Sequence, residues 1–251
     1  MFKGFYNLTS AMLTHGRNLN VISNNMANVS TSGYKSDTFT ATTFDDVLWS
    51  RVGNKNKIYE DLGNQSYITA PSQLYTDYSQ EGFDATGGVL DFAIEGDGYF
   101  AIQMAEGDQT LYTRAGSFSL DNEGYLTLPG AGRVLDEAGA PIYLLTDKLK
   151  CDERGTLYSV QGDFLGRIGV FSFGEDAAPA KDASGLFQAD GEAQLNDNVR
   201  VHNGMLERSN VDWLQQMTKM ISAQRAYQSA ASLSKMYDEV MNHAASNIGR
   251  M

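Results

Sequence analysis

Among residue types that could do chemistry, this 251-residue chain offers three histidines, one cysteine, the closely spaced acids Glu95 and Asp97, and serines such as Ser10 and Ser117. His15, His202 and His243 lie in separate segments with no HExxH or comparable spacing, so they form no recognisable metal motif. Glu95 and Asp97 flank Gly96 and could act as paired acids, yet Glu95-Gly96-Asp97-Gly98 reads first as a tight turn between strands. The same stretch fails as a dinucleotide fingerprint, because Ala101 stands at the third glycine position and a strand follows. Ser10 and Ser117 have no GxSxG setting, and Cys151, being single, can form neither an internal disulfide nor a cysteine-based zinc cage. The sequons Asn7-Leu8-Thr9 and Asn28-Val29-Ser30 both fall on an expected helix. No residue is therefore assigned to catalysis, a cofactor or a metal.

The elements around these residues are more telling. Phe5, Leu8, Met12, His15, Leu19, Ile22, Met26 and Val29 step by alternating threes and fours, the rhythm that keeps one stripe facing a partner helix. Met220, Ala223, Tyr227, Ala230, Ser234, Tyr237, Met241, Ala244 and Ile248 keep the same rhythm near the other end. The spacing predicts helices over 1–29 and from about Asn210, where Ser209 and Asp212 approximate a capping box, to Gly249. The second would run roughly 60 Å at 1.5 Å per residue, too long to lie across one small domain. Gly16 should cost the first helix about 1 kcal/mol against alanine, so partner helices must supply stability.

Between the ends the pattern is β. Strands are expected at Val89–Glu95, Tyr99–Met104, Leu111–Leu120, Tyr125–Leu128, Arg133–Asp136, Ile142–Leu145, Thr156–Val160 and Ile168–Phe173, separated by glycine turns. Alternation of Phe100, Ile102 and Met104 with Tyr99, Ala101 and Gln103 predicts one buried face. The fold class is α+β. Long terminal helices over 1–33 and 209–251 are expected to pair as a coiled coil, with an extended connector over 34–88, an all-β middle domain of short antiparallel strands over 89–175, and a return connector over 176–208.

Charge sharpens this division. Residues 58–204 hold eight Lys/Arg against twenty-four Asp/Glu, out of a net charge of −12 for the whole chain. With no clustered cations, nucleic acid is excluded as a principal partner. No apolar run approaches the ~20 residues needed to cross a bilayer, and polar residues throughout 1–29 leave no room for a secretory h-region.

Asn24, Asn25 and Asn28 sit where the first helix should end, before Thr31-Ser32-Gly33-Tyr34-Lys35. Three amides within five residues weaken a last helical turn unless they bond something specific, and bonding across helices in a crowded assembly is the expected use. The run NLNVISNNMANVSTSGYK (Asn18–Lys35) resembles the N-terminal signature of the bacterial flagellar rod and hook protein family. LDFAIEGDGYF with YTRAGSFSLDNEGYL, and NGMLERSNVDWLQQMTKMISAQRAYQ (Asn203–Gln228), resemble that family's middle and C-terminal signatures. Ser32 departs from the family's usual proline.

The resemblance implies a non-enzymatic axial subunit without cofactor, whose partners are its own copies, other rod and hook subunits, and the flagellar type III export apparatus. It implies a place in the basal-body rod, crossing the periplasm and cell wall, reached without a cleaved signal peptide. Rod is preferred over hook because hook members usually insert a further β domain. The expected assembly interface comprises Phe5, Leu8, Met12, Leu19, Ile22, Asn24, Asn25, Met26, Asn28, Val29, Gly33 and Tyr34 at one end. At the other it comprises Met220, Ala223, Tyr227, Ala230, Tyr237, Met241 and Ile248. The competing readings are a cell-wall glycan-binding or hydrolysing β domain dimerised by its terminal helices, with Tyr99, Tyr112, Phe118 and Tyr125 stacking on sugar, and a family paralogue used outside the rod.

Overall fold

Two helices carry the chain ends, α1 over Phe2–Ala27 and α2 over Trp213–Ile248. They belong to a computed structural model that describes residues 2–43, 47–52, 59–65, 69–104, 109–144, 146, 148–174, 179–182, 185–188 and 193–248. The second helix starts three residues later than the capping-box reading places it. Asp212 Oδ1 accepts the N–H groups of Leu214 (2.9 Å) and Gln215 (3.1 Å), which makes Asp212 the N-cap. Ser209 Oγ instead accepts the Val211 N–H in the approach to the helix. The first helix gives way at Asn28, whose carbonyl accepts the Thr31 N–H and whose Oδ1 accepts the Thr31 hydroxyl.

The chain divides into two compact units. A helical unit takes Met1–Ala27, Asp37–Asp77 and Asp212–Met251, and a β unit takes Asn28–Ser36 and Tyr78–Val211. In the helical unit α1 packs against α2. A methyl group placed on Gly4 would meet the Tyr237 ring at 3.5 Å and one on Gly16 the Tyr227 ring at 4.0 Å, so the helices run antiparallel with glycines of one opposite tyrosines of the other. The region read as an extended connector with short strands or turns carries strands among its described residues. β1 (Asp37–Thr43) pairs antiparallel with β4 (Thr69–Thr76), and between them β2 (Val47–Val52) pairs with β3 (Tyr59–Gln65). Gly249, the expected end of the second helix, lies outside the described residues.

The β unit takes in more chain than 89–175. Its first strands are β5 (Phe83–Ala85) and β6 (Phe92–Glu95), whose partners come from the far end of the unit. At its centre lies β7 (Tyr99–Met104), which pairs with β8 (Thr110–Thr113) and, beyond β9 (Ser119–Leu120) and β10 (Leu126–Leu128), with β11 (Gly132–Val134). β12 (Leu149–Cys151), β13 (Thr156–Ser159) and β14 (Phe164–Arg167) make a separate three-stranded sheet. β15 (Val170–Ser172) also pairs with β7, β17 (Phe187–Gln188) pairs with β16 (Ala180–Lys181) and β8, and β18 (Gln194–Leu195) pairs with β15. β19 (Arg200–Asn203) closes on β6 and β20 (Met205–Glu207) on β5.

Tyr99 to Ile102 are all buried, so β7 is covered on both faces rather than one. Phe100 enters the main core with Phe92, Ile94, Leu126, Leu157 and Ile168, while Tyr99 packs against the rings of Phe173 and Phe187, each 5.2 Å away. Apolar residues on both parities of a strand let both of its faces be covered. The expected strand over Leu111–Leu120 breaks after Thr113. A Cβ on Gly116 would sit 1.7 Å from the Phe92 carbonyl oxygen, an approach only glycine permits.

One hairpin turn recurs through the unit. Asp121 Oδ1 accepts the N–H groups of Glu123 and Tyr125, and Gly124 follows at φ +88° with its N–H on the Asp121 carbonyl. Asp136 with Gly139 and Asp152 with Gly155 repeat the same bonds. An Asx turn followed by a left-handed glycine closes each hairpin with a bulge, which short strands of fixed register require.

Candidate functional site

The inner stripe of α2 follows from its period. Gln216, Ala223 and Ala230 are buried, and Met220, Ser234, Tyr237, Met241 and Ala244 are partly buried, whereas the residues between them are mostly exposed. On α1, Ile22 is buried, and Leu8, Met12, His15, Leu19 and Met26 are partly buried, with Phe5 at the margin of exposure. Tyr227, 37 % exposed, lies beside Gly16. Val29, Gly33 and Tyr34 belong to the β unit.

A second apolar set lies outside the stripe. Trp213, Leu214, Met217 and Ile221 are exposed on one flank of α2, and Leu233, Met236 and Val240 on the opposite flank nearer its end. Leu214 is 72 % and Val240 66 % exposed. At 1.5 Å per residue the two patches are centred about 30 Å apart along the axis. Exposed apolar residues concentrated on one element mark a surface made to be covered. The helical unit carries nine basic and nine acidic residues, so its surfaces can meet copies of themselves without like-charge repulsion, while the β unit holds ten basic against twenty-two acidic.

The three asparagines divide. Asn25 is buried and bonds within its own chain, donating Nδ2–H to the Asp37 carbonyl (2.8 Å) and accepting the Asp37 N–H at Oδ1 (3.0 Å). Asn28 shapes the turn at the helix end. Asn24 is exposed. The expected bonding across helices is thus replaced, at Asn25, by a clasp from helix to strand.

The residues considered for chemistry are spread through the fold. Glu95 Oε2 lies 2.8 Å from His202 Nε2 on a paired strand, the Asp97 carbonyl accepts the Asn196 amide, and His243 is exposed on α2. Among the described residues no group of three or more His, Cys, Asp or Glu could hold a metal. Burial pushes the Cys151 thiol up to about 12 and the Tyr99 phenol to about 12, which keeps both neutral. The aromatics offered as sugar platforms serve packing instead. Tyr99 and Phe118 are buried, and the Tyr125 ring is covered by the Arg133 guanidinium 4.0 Å from its centroid and met edge-on by Tyr143.

Sequence reasoning passed over Lys35, Arg114 and Glu207, which the structure buries together. Lys35 is the one charge in its signature run and Arg114 the one cation in the middle runs, and that isolation was the available signal; Glu207 stands beside Arg208 among several charges and gave none.

Three known families match in chain order. Residues 5–35 match one described as flagella basal body rod protein, residues 93–168 the flagellar hook protein FlgE/F/G D1 domain, and residues 202–247 the flagellar basal body rod FlgEFG protein C-terminal region. Similar over nearly the whole length is the flagellar basal-body rod protein FlgG of Bacillus subtilis, 32 % identical across 96 % of this chain and 97 % of the relative. FlgF of Mesorhizobium japonicum is 30 % identical across 99 % of each, and FlgF of Caulobacter vibrioides 29 % across 96 % of each.

Proposed function

The chain belongs to the flagellar basal-body rod protein family, and from that premise we propose that it is a structural axial subunit of the rod that polymerises helically through α1 and α2. Other rod and hook subunits are its partners, and the flagellar basal body is its place. The terminal helices pair as a coiled coil along the Leu8–Met26 and Met220–Ala244 stripes, Ile248 of the expected interface lying outside the described side chains, and their packed array carries torque from motor to hook. The acidic β unit faces outward. The chain reaches the rod through the type III export apparatus without a cleaved signal peptide. Among the described residues no helix is long and apolar enough to cross a membrane.

The observation that carries this reading is the pair of exposed apolar patches on opposite flanks of α2. Contacts on different flanks at different heights are heterologous. A subunit bearing them adds to a neighbour without closing a ring, which is how a filament grows. Burying one Leu, Met or Val side chain at such a contact contributes roughly 1.5–3 kcal/mol, so three or four per patch hold a subunit firmly.

The experiment is complementation of a strain lacking this chain with Leu214→Glu or Val240→Glu. Neither side chain is needed inside the monomer. The expected result is normal monomer circular dichroism with loss of hooks, filaments and swimming. Wild-type swimming in both strains would end the proposal.

A further inference from the structure

The covalent path between the two units runs through residues 36–37, 77–78 and 211–212, as well as the end of α1. Just inside the β unit, these crossings continue as three stretches: 33–36, 78–80 and 207–211. The side chains that tie them together are charged and out of solvent. Lys35 Nζ donates to the Ser79 carbonyl (2.7 Å) and to Glu207 Oε1 (2.6 Å), so one ammonium touches all three stretches. Arg114 Nη1 reaches Glu207 Oε2 at 3.3 Å, and its Nη2 donates to the Gly96 carbonyl at 2.7 Å. Side-chain exposure is 0 % for Lys35 and Glu207 and 3 % for Arg114.

Backbone bonds run alongside. The Gly33 N–H donates to the Glu207 carbonyl (2.9 Å), and the Ser36 N–H to Asn210 Oδ1 (2.7 Å). Lys181 donates Nζ–H to the Lys35 carbonyl and sits 3.8 Å from the centroid of the Tyr34 ring. Gly33, at φ +67°, lies so close to the Arg114 backbone that a Cβ there would be 2.3 Å from its carbonyl carbon. Every contact in this set lies within the β unit.

We propose that Lys35, Glu207 and Arg114 form an ionic clamp that locks the three neck stretches side by side. Gly33-Tyr34-Lys35 is then a strap of the β unit rather than the tail of α1. Glu207 is its pivot, because one carboxylate serves two cations, which also donate to the backbone carbonyls of Ser79, Ile94 and Gly96. Opening 33–36 or 207–211 leaves a buried charge without its partner, and opening 78–80 takes a carbonyl acceptor from the Lys35 ammonium, so the three open together. This inference stands whether or not the chain assembles.

The test is hydrogen exchange on the full-length monomer. In the wild type under rising denaturant, the Gly33 and Ser36 amides should open in one step, with a common denaturant dependence, before the Ile102 amide of the central sheet. Separate openings for Gly33 and Ser36, or strap opening only together with Ile102, would overturn the clamp. In Glu207→Gln and Lys35→Met the strap amides should exchange at least tenfold faster, with Ile102 within twofold of wild type. Strap amides within twofold of wild type in either variant would equally sink it. Should a variant fail to fold, the wild-type measurement decides alone.

Discussion

Asn25 and Asp37 exchange two hydrogen bonds, with the amide of a buried helix residue reading both backbone groups of the first strand residue after α1. The asparagine does for Asp37 what a neighbouring strand would do, and Asp37 Oδ1 in turn accepts the Thr76 hydroxyl from β4. The end of α1 is thereby stitched to the β1–β4 pair.

Asn25→Ala should therefore leave the part-buried Asp37 amide and carbonyl without the Asn25 partner and cost about 1 kcal/mol of local stability. Asn24→Ala, at an exposed position, should stay within about 0.5 kcal/mol. Exchange of the Asp37 amide measures both. Equal effects at 24 and 25 would contradict the clasp.

Two glycines predict opposite outcomes. Gly16→Ala meets its first neighbour, the Tyr227 ring, at 4.0 Å, so the methyl fits and the helix gains roughly 1 kcal/mol of propensity. Gly33→Ala combines a positive φ with collision against the Arg114 backbone and should destabilise the β unit by several kcal/mol. Urea midpoints of the two variants should move in opposite directions.

Ile22→Asp places a charge at a position 4 % exposed within the helical unit. An unpaired buried carboxylate is costly enough to abolish rod assembly. The β unit should still show the near-ultraviolet signal of its packed tyrosines. Normal swimming in this strain would argue against the helical seam.

Alkaline pH should unfold the β unit. Cys151 and Tyr99 titrate near 12 in the folded chain because burial disfavours their anions, against ordinary values of 9.0 and 10.0. Their neutral forms favour the fold fully below pH 9, and that contribution is lost progressively between pH 9 and 12 as the unfolded chain ionises. Cys151→Ser should flatten the lower part of this loss. Iodoacetamide should label Cys151 slowly at pH 8.5 in the native protein and rapidly in urea; fast native labelling would show that the thiol is not sheltered.

The sequence by itself determined the helical ends, the strand-rich centre and the family. Threes-and-fours spacing and glycine turns are local signals, and the run Tyr99–Met104 is read off at its observed bounds. It anticipated glycine turns between the strands, but Gly116 falls inside an expected strand and shows its role only against the Phe92 carbonyl. What it left open concerns partners distant in the chain. Nothing near Asn25 says that its amide would meet Asp37, and nothing near Lys35 says that Glu207, 172 residues on, would take its charge. Only tertiary structure decided those pairings, because a buried amide or ammonium is stabilised by whichever acceptor the fold delivers after water has been removed. The burial of both faces of β7 has the same origin, since strand period reports which residues alternate but not how many layers will cover them.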